Sequence, residues 1–124
     1  MAKPLKLLLV DDEASFVKSL ADFLTQCGYS VAVAFDGNQA IEQMKAHRPA
    51  LILLDLKLPG PSGEELIRQA KTVNPNTKVI VLTAYHDEGE RETSLRQAGV
   101  AGYLYKPLKS LTELEQMIEQ TLHS

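Results

Sequence analysis

"LLLVDDEASF", residues Leu7 to Phe16, runs four apolar residues straight into three consecutive acids. Residues apolar at successive positions suit a strand covered on both faces, as in a parallel sheet. Each carboxylate added beside another raises the cost of ionising the next. A buried strand that opens onto Asp11, Asp12 and Glu13 therefore calls for something that uses the charge.

Two more runs share the character of the first: "ALILL" (Ala50 to Leu54) and "KVIVL" (Lys78 to Leu82). "AGYLY" (Ala101 to Tyr105) reads as another strand, and "SVAVAF" (Ser30 to Phe35), which partly alternates, reads as an edge strand. Between them the period changes to that of helices. Phe16, Val17, Leu20, Phe23, Leu24 and Cys27 make one apolar stripe, ended by Gly28 at a helix C-terminus. Ala40, Ile41 and Met44 make a second stripe, stopped before Pro49, and Leu66, Ile67, Ala70 and Val73 a third, stopped before Pro75. "DEGERETSLRQAG" (Asp87 to Gly99) has only Leu95 and Ala98 as clear anchors, which predicts a weakly packed, easily moved helix. Leu111, Leu114, Ile118 and Leu122 make the last stripe. Asp36-Gly37 is compatible with a hairpin, but the helical pattern from Asn38 favours a strand-to-helix turn.

Strand and helix thus alternate five times with short connections. The expected fold is α/β: a single doubly wound, five-stranded parallel sheet of order 2-1-3-4-5 flanked by five helices, flavodoxin-like, with residues 1–124 as one domain.

Composition limits the function classes. The chain is 44% hydrophobic and 23% charged, which suits a folded globular domain. Its one cysteine, Cys27, excludes a disulfide scaffold, points to a reducing, cytoplasmic setting and reads as a small buried hydrophobe. Neither a membrane span nor a signal peptide is legible. The net charge of −3, with scattered Lys and Arg, gives no sign of direct nucleic-acid binding. His47, His86 and His123 lie apart and read as solvated.

Open parallel sheets place ligands beyond the C-terminal ends of their strands. There the chain carries Asp11 and Asp12, Asp55, Thr83 and Lys106. In the order 2-1-3-4-5 the three aspartates converge, with Thr83 and Lys106 along the same rim. Oxygen ligands without Cys or His point to a hard cation such as Mg²⁺. Simpler roles exist for most of these residues: Asp12 or Thr83 as a helix cap, Asp55 as a strand-end turn residue, Lys106 as a surface lysine, and Tyr103 as packing in the core or at the surface.

"VDDE", "LLDLKLPGPSG", "LTA" and "YLYKP", at the ends of four strands, together make the chain resemble the receiver domain of two-component response regulators, of the chemotaxis-regulator kind. The resemblance covers essentially the whole chain. It implies a phosphorylation-dependent signalling switch rather than a metabolic enzyme, catalysing only its own aspartyl phosphorylation and slow dephosphorylation. Asp55 would accept a phosphoryl group from a sensor histidine kinase or a phosphotransfer protein. Asp11, Asp12, Asp55 and the Lys57 carbonyl would hold Mg²⁺, and Thr83 and Lys106 would bind phosphoryl oxygens. Tyr103 would turn inward as Thr83 shifts, changing partner preference through the fourth helix and fifth strand. The resemblance also implies a cis Lys106–Pro107 bond and leaves room for a downstream effector or output domain and for homodimerisation. Lys57 and Tyr85 stand at positions that tune the lifetime of the phosphoryl group.

Charge arithmetic fits: three carboxylates against Mg²⁺ and Lys106 sum to zero, and phosphorylation of Asp55 leaves one net negative charge. Rival readings fare worse. A flavodoxin-like cofactor binder needs a phosphate-cradling Gly/Ser/Thr loop where this chain has Asp-Asp-Glu. A dehalogenase-like phosphatase needs Asp-x-Asp, which "DDEA" does not match. An interaction domain without phosphoryl chemistry would have no use for the intact set of acids, Thr83 and Lys106.

Overall fold

The chain reverses direction across its sheet once, and that reversal sets where everything else lies. The computed structural model describes residues 4–84 and 90–123. Its elements are β1 (Lys6–Val10), α1 (Ala14–Gln26), β2 (Ser30–Ala34), α2 (Gly37–His47) and β3 (Leu51–Leu54). They continue with α3 (Gly63–Val73), β4 (Lys78–Thr83), α4 (Glu90–Gln97), β5 (Gly102–Tyr105) and α5 (Leu111–Leu122). All neighbouring strands pair parallel, in the order β2-β1-β3-β4-β5. The chain steps outward from β1 to β2, then crosses back to β3 and proceeds to β5. Crossovers of constant hand then put helices on opposite faces on either side of β1.

The packing shows this division. Leu8, Val10, Ile52 and Leu54 share one core with Met44 of α2, Leu66 and Ala70 of α3 and Leu95 of α4. Leu7, Leu9, Leu51 and Leu53 share the other with Val17 and Leu24 of α1 and Leu114 and Ile118 of α5. Each central strand is apolar at consecutive positions because both of its faces are covered. Edge strand β2 is only half-covered along most of its length, as its alternation predicts.

Local signals set the helix ends. Asp36, Ser62 and Ser110 each accept a backbone N–H with the side chain, capping α2, α3 and α5. Asp36-Gly37 is therefore a strand-to-helix turn, and α2 begins one residue before the expected Asn38. Gly28 adopts φ +101° behind α1, the left-handed conformation that glycine tolerates best.

Two expectations need correction. Cys27 is exposed, because it follows the last turn of α1 and no longer lies on the stripe that Leu24 ends. Ala98 is also exposed, since α4 stops at Gln97. Leu95, fully buried, is left as the core anchor among the described side chains of α4. Leu95→Ala should cost about 2–5 kcal/mol, read by denaturant unfolding, with amide exchange in α4 accelerated most. A loss below about 0.5 kcal/mol would show that α4 is held by other means.

Candidate phosphoryl-acceptor site

Asp11, Asp55 and Lys106 each stand one step beyond the last rung of a strand and are held there by a neighbour, while Thr83 is itself the last rung of β4. The Asp11 N–H donates to the Ala34 carbonyl at 3.1 Å, Asp55 N–H to Val10 at 2.9 Å, and Lys106 N–H to Thr83 at 2.8 Å. The register pairs Val10 with Leu54, so Asp11 and Asp55 emerge side by side. Strand alternation then puts Asp11, Asp55 and Lys106 on the face that α1 covers.

The structure brings together the residues expected to meet. Asp11, Asp12 and Asp55 each offer a carboxylate oxygen, all within 4.8 Å of one another. Asp11 and Asp55 are buried and Asp12 is exposed. Thr83 is fully buried, and its hydroxyl donates to Asp55 Oδ1 at 3.1 Å. The same oxygen accepts the Lys57 N–H at 3.0 Å. Lys106 is no ordinary surface lysine: its side chain is 10% exposed. Its Nζ donates to Asp11 Oδ2 at 2.6 Å, Glu13 Oε1 at 3.1 Å and Asp55 Oδ2 at 3.3 Å. The Lys106–Pro107 bond is cis, as expected.

Two participants were not anticipated. Glu13 shares the Lys106 ammonium, and the Phe16 ring lies 4.5 Å below it. Glu13 stood in the "VDDE" signature, but nothing local pairs it with a lysine 93 positions away. Phe16 was legible only as part of the α1 stripe.

Electrostatics describe a site short of positive charge. Burial raises the Asp11 pKa, and the nearby Asp55 charge adds to this, against the hydrogen bonds from Lys106 and the Glu13 amide. Burial alone would lower the Lys106 pKa. The bonds to Asp11 and Glu13 and the charges of Asp55 and Asp11 outweigh it, holding that pKa above the usual lysine range. Asp11 and Asp55 already share this ammonium, and Asp12 turns a third carboxylate toward the same space. Three clustered oxygen donors with a deficit of positive charge fit a hard divalent cation such as Mg²⁺. Asp12 does not serve as the helix cap: the N-cap position of α1 is Glu13, whose side chain makes no capping bond.

The fold occurs in known proteins. Residues 7–119 match the family model of the response regulator receiver domain. The chain belongs to that family. Sporulation initiation phosphotransferase F of Bacillus subtilis is 31% identical over 117 residues, covering 94% of this chain and 93% of that one. Response regulator MprA of Mycolicibacterium vanbaalenii is 37% identical over 111 residues, covering 90% of this chain but 47% of that protein. The chain thus spans about half the length of the MprA relatives. Among solved structures, a CheY-like receiver domain from Methanospirillum hungatei superposes with TM-score 0.88 at 29% identity, covering 97% and 94% of the two chains. The receiver domain of a Pseudomonas aeruginosa sensor histidine kinase superposes with TM-score 0.83 at 31% identity, covering 98% and 99%. That domain was solved with a magnesium ion coordinated in its active-site cleft.

Tyr103 is already buried at 6% exposure, its ring 5.2 Å from that of Tyr105, so an inward turn is not required to bury it. The Lys57 side chain is exposed. Tyr85 and His86 lie outside the described residues. His47 and His123 are exposed, as read.

Proposed function

We propose that residues 1–124 form one receiver domain that switches its partner preference when Asp55 is phosphorylated. The donor is a phosphohistidine on a sensor histidine kinase or a phosphotransfer protein. The observation that carries the reading is the convergence of Thr83 and Lys106 on opposite oxygens of Asp55, 3.1 and 3.3 Å away. The donors that will clamp the transferred group already surround its acceptor.

In the transfer, an Asp55 oxygen attacks phosphorus while the bond from phosphorus to the imidazole nitrogen breaks. The freed imidazole takes a proton from solvent. Asp55 loses its carboxylate charge to an acyl bond and gains the phosphoryl charge in its place. Asp11, Asp12, Asp55 and the Lys57 carbonyl are the groups that would hold Mg²⁺. When bound, the ion supplies the positive charge that three carboxylates and an anionic phosphoryl group need in one place. The Thr83 hydroxyl and the Lys106 ammonium pass from the Asp55 oxygens to the phosphoryl oxygens. Lys106 keeps its anchor on Asp11, the shortest of its three bonds.

Thr83 ends β4 immediately before the segment leading to α4, so its shift acts on the helix whose described side chains reach the core through Leu95. Phosphorylation then stabilises an inward Tyr103 together with one placement of α4. The face of α4 and β5 is the partner-selective surface, for a downstream effector, an output domain or a second copy of the chain.

Incubation with acetyl phosphate and Mg²⁺, followed by intact-mass measurement, should give one phosphoryl adduct per chain. No adduct, or several, would contradict the reading. The adduct's lifetime tests the two tuning positions: in Lys57→Ala, Tyr85→Ala it should decay roughly threefold faster, the scale of one exposed charge contact. Equal decay in the double variant and the wild type would refute a role for either.

A further inference from the structure

The loop that leaves Asp55 returns across the start of α2, and one glycine makes that approach feasible. Gly37, buried at the first position of α2, donates its N–H to the Pro59 carbonyl at 3.3 Å. A Cβ at Gly37 would lie 2.8 Å from Pro61 Cδ and 3.3 Å from Pro61 N, the first being closer than real Cβ atoms come. Any side chain at position 37 therefore forces either the helix or the loop to move.

The helix is the firmer of the two. The Asp36 side chain accepts the Gln39 N–H at 2.8 Å, and Gln39 Oε1 accepts the Phe35 N–H at 2.9 Å. Ala40 and Met44 bury the next turns in the core. The loop is anchored at its start by Leu56 and Leu58, which pack into the core, and is less constrained at its middle, where Pro59 and Gly60 are exposed and Gly60 has φ +96°. Displacement would fall on the loop. At its other end the Lys57 N–H holds Asp55 Oδ1 at 3.0 Å, so a displaced loop disturbs the backbone on which both the acceptor oxygen and the Lys57 carbonyl depend.

We propose that Gly37 is a positioning residue for the phosphoryl-acceptor site: its lack of a side chain lets residues 56–62 lie against α2 and thereby fixes the Lys57 backbone beside Asp55. The proposal rests on the reading of that site as one for Mg²⁺ and a phosphoryl group. It predicts that distance along the chain does not protect the site from a change in α2.

The test uses Gly37→Ala, Pro61→Ala and the double variant, with Mg²⁺ affinity from amide NMR shifts, phosphorylation rate with acetyl phosphate, and thermal midpoint. Gly37 has a φ that alanine accepts, and alanine favours helix, so α2 should persist. Gly37→Ala should weaken Mg²⁺ binding and slow phosphorylation about tenfold, the scale seen when a group supporting a metal ligand is disturbed. Pro61→Ala removes the clashing Cδ, so the double variant should recover to within about twofold of wild type. Wild-type affinity in Gly37→Ala would overturn the proposal. So would failure of Pro61→Ala to rescue a double variant whose thermal midpoint matches wild type. A wild-type chain that binds Mg²⁺ but takes no phosphoryl group would overturn the functional reading alone, while the metal affinities still decide the role of Gly37.

Discussion

Asp55→Asn should take up no phosphoryl group under conditions that load the wild type to completion, with the adduct falling below detection by intact mass. The asparagine amide oxygen is a poor nucleophile toward an anionic phosphorus centre, and it cannot form the acyl phosphate. The fold should tolerate the change. Asn Oδ1 can still accept from Thr83 and from the Lys57 N–H, as Asp55 Oδ1 does at 3.1 and 3.0 Å. Lys106 loses its longest bond, at 3.3 Å, but keeps Asp11 at 2.6 Å and Glu13 at 3.1 Å. The substitution also removes the charge that, after burial, raises the Asp11 pKa. Stability should therefore change by no more than about 1 kcal/mol, which separates a lost nucleophile from a lost fold. An adduct that persists in the variant would move the acceptor to another residue.

The second large effect concerns the metal. Asp12 is exposed and caps no helix, so Asp12→Asn should leave packing unchanged while weakening the cation site. The phosphorylation rate at limiting Mg²⁺ should drop about a hundredfold, equivalent to about 3 kcal/mol of lost charge stabilisation. Raising Mg²⁺ should recover part of the loss. Chelation in the wild type should cost at least as much. A phosphorylation rate indifferent to chelator would remove the cation from the chemistry and leave the acidic cluster without its proposed use.

The strand ends of this receiver domain were legible because two physical signals coincide there. A strand covered on both faces is apolar at every position, so the first polar residue after it marks the sheet edge. Val10 to Asp11 and Leu54 to Asp55 are such transitions, and parallel register brings them to the same level. What pairs across the sheet was harder to read. Glu13 and Phe16 meet Lys106 only because α1 folds back over the strand ends, and no local pattern encodes that contact. Gly37 looked like a turn residue, and its second role appears only once Pro61 is in place beside it. The exposure of Cys27 and Ala98 was misread for a common reason: each lies just past a helix end, where an apolar stripe stops predicting which side faces the core. The buried ring of Tyr103 is a matter of side-chain rotation, which its sequence context leaves undetermined.

Reductive trapping of the phosphorylated protein tests the central claim most directly. Borohydride converts an aspartyl phosphate to homoserine, and peptide mapping by mass spectrometry then locates it. With Mg²⁺ present, the homoserine should appear at position 55 and at neither 11 nor 12. Homoserine at either of those positions, or phosphoryl transfer that leaves position 55 unchanged, would contradict the account.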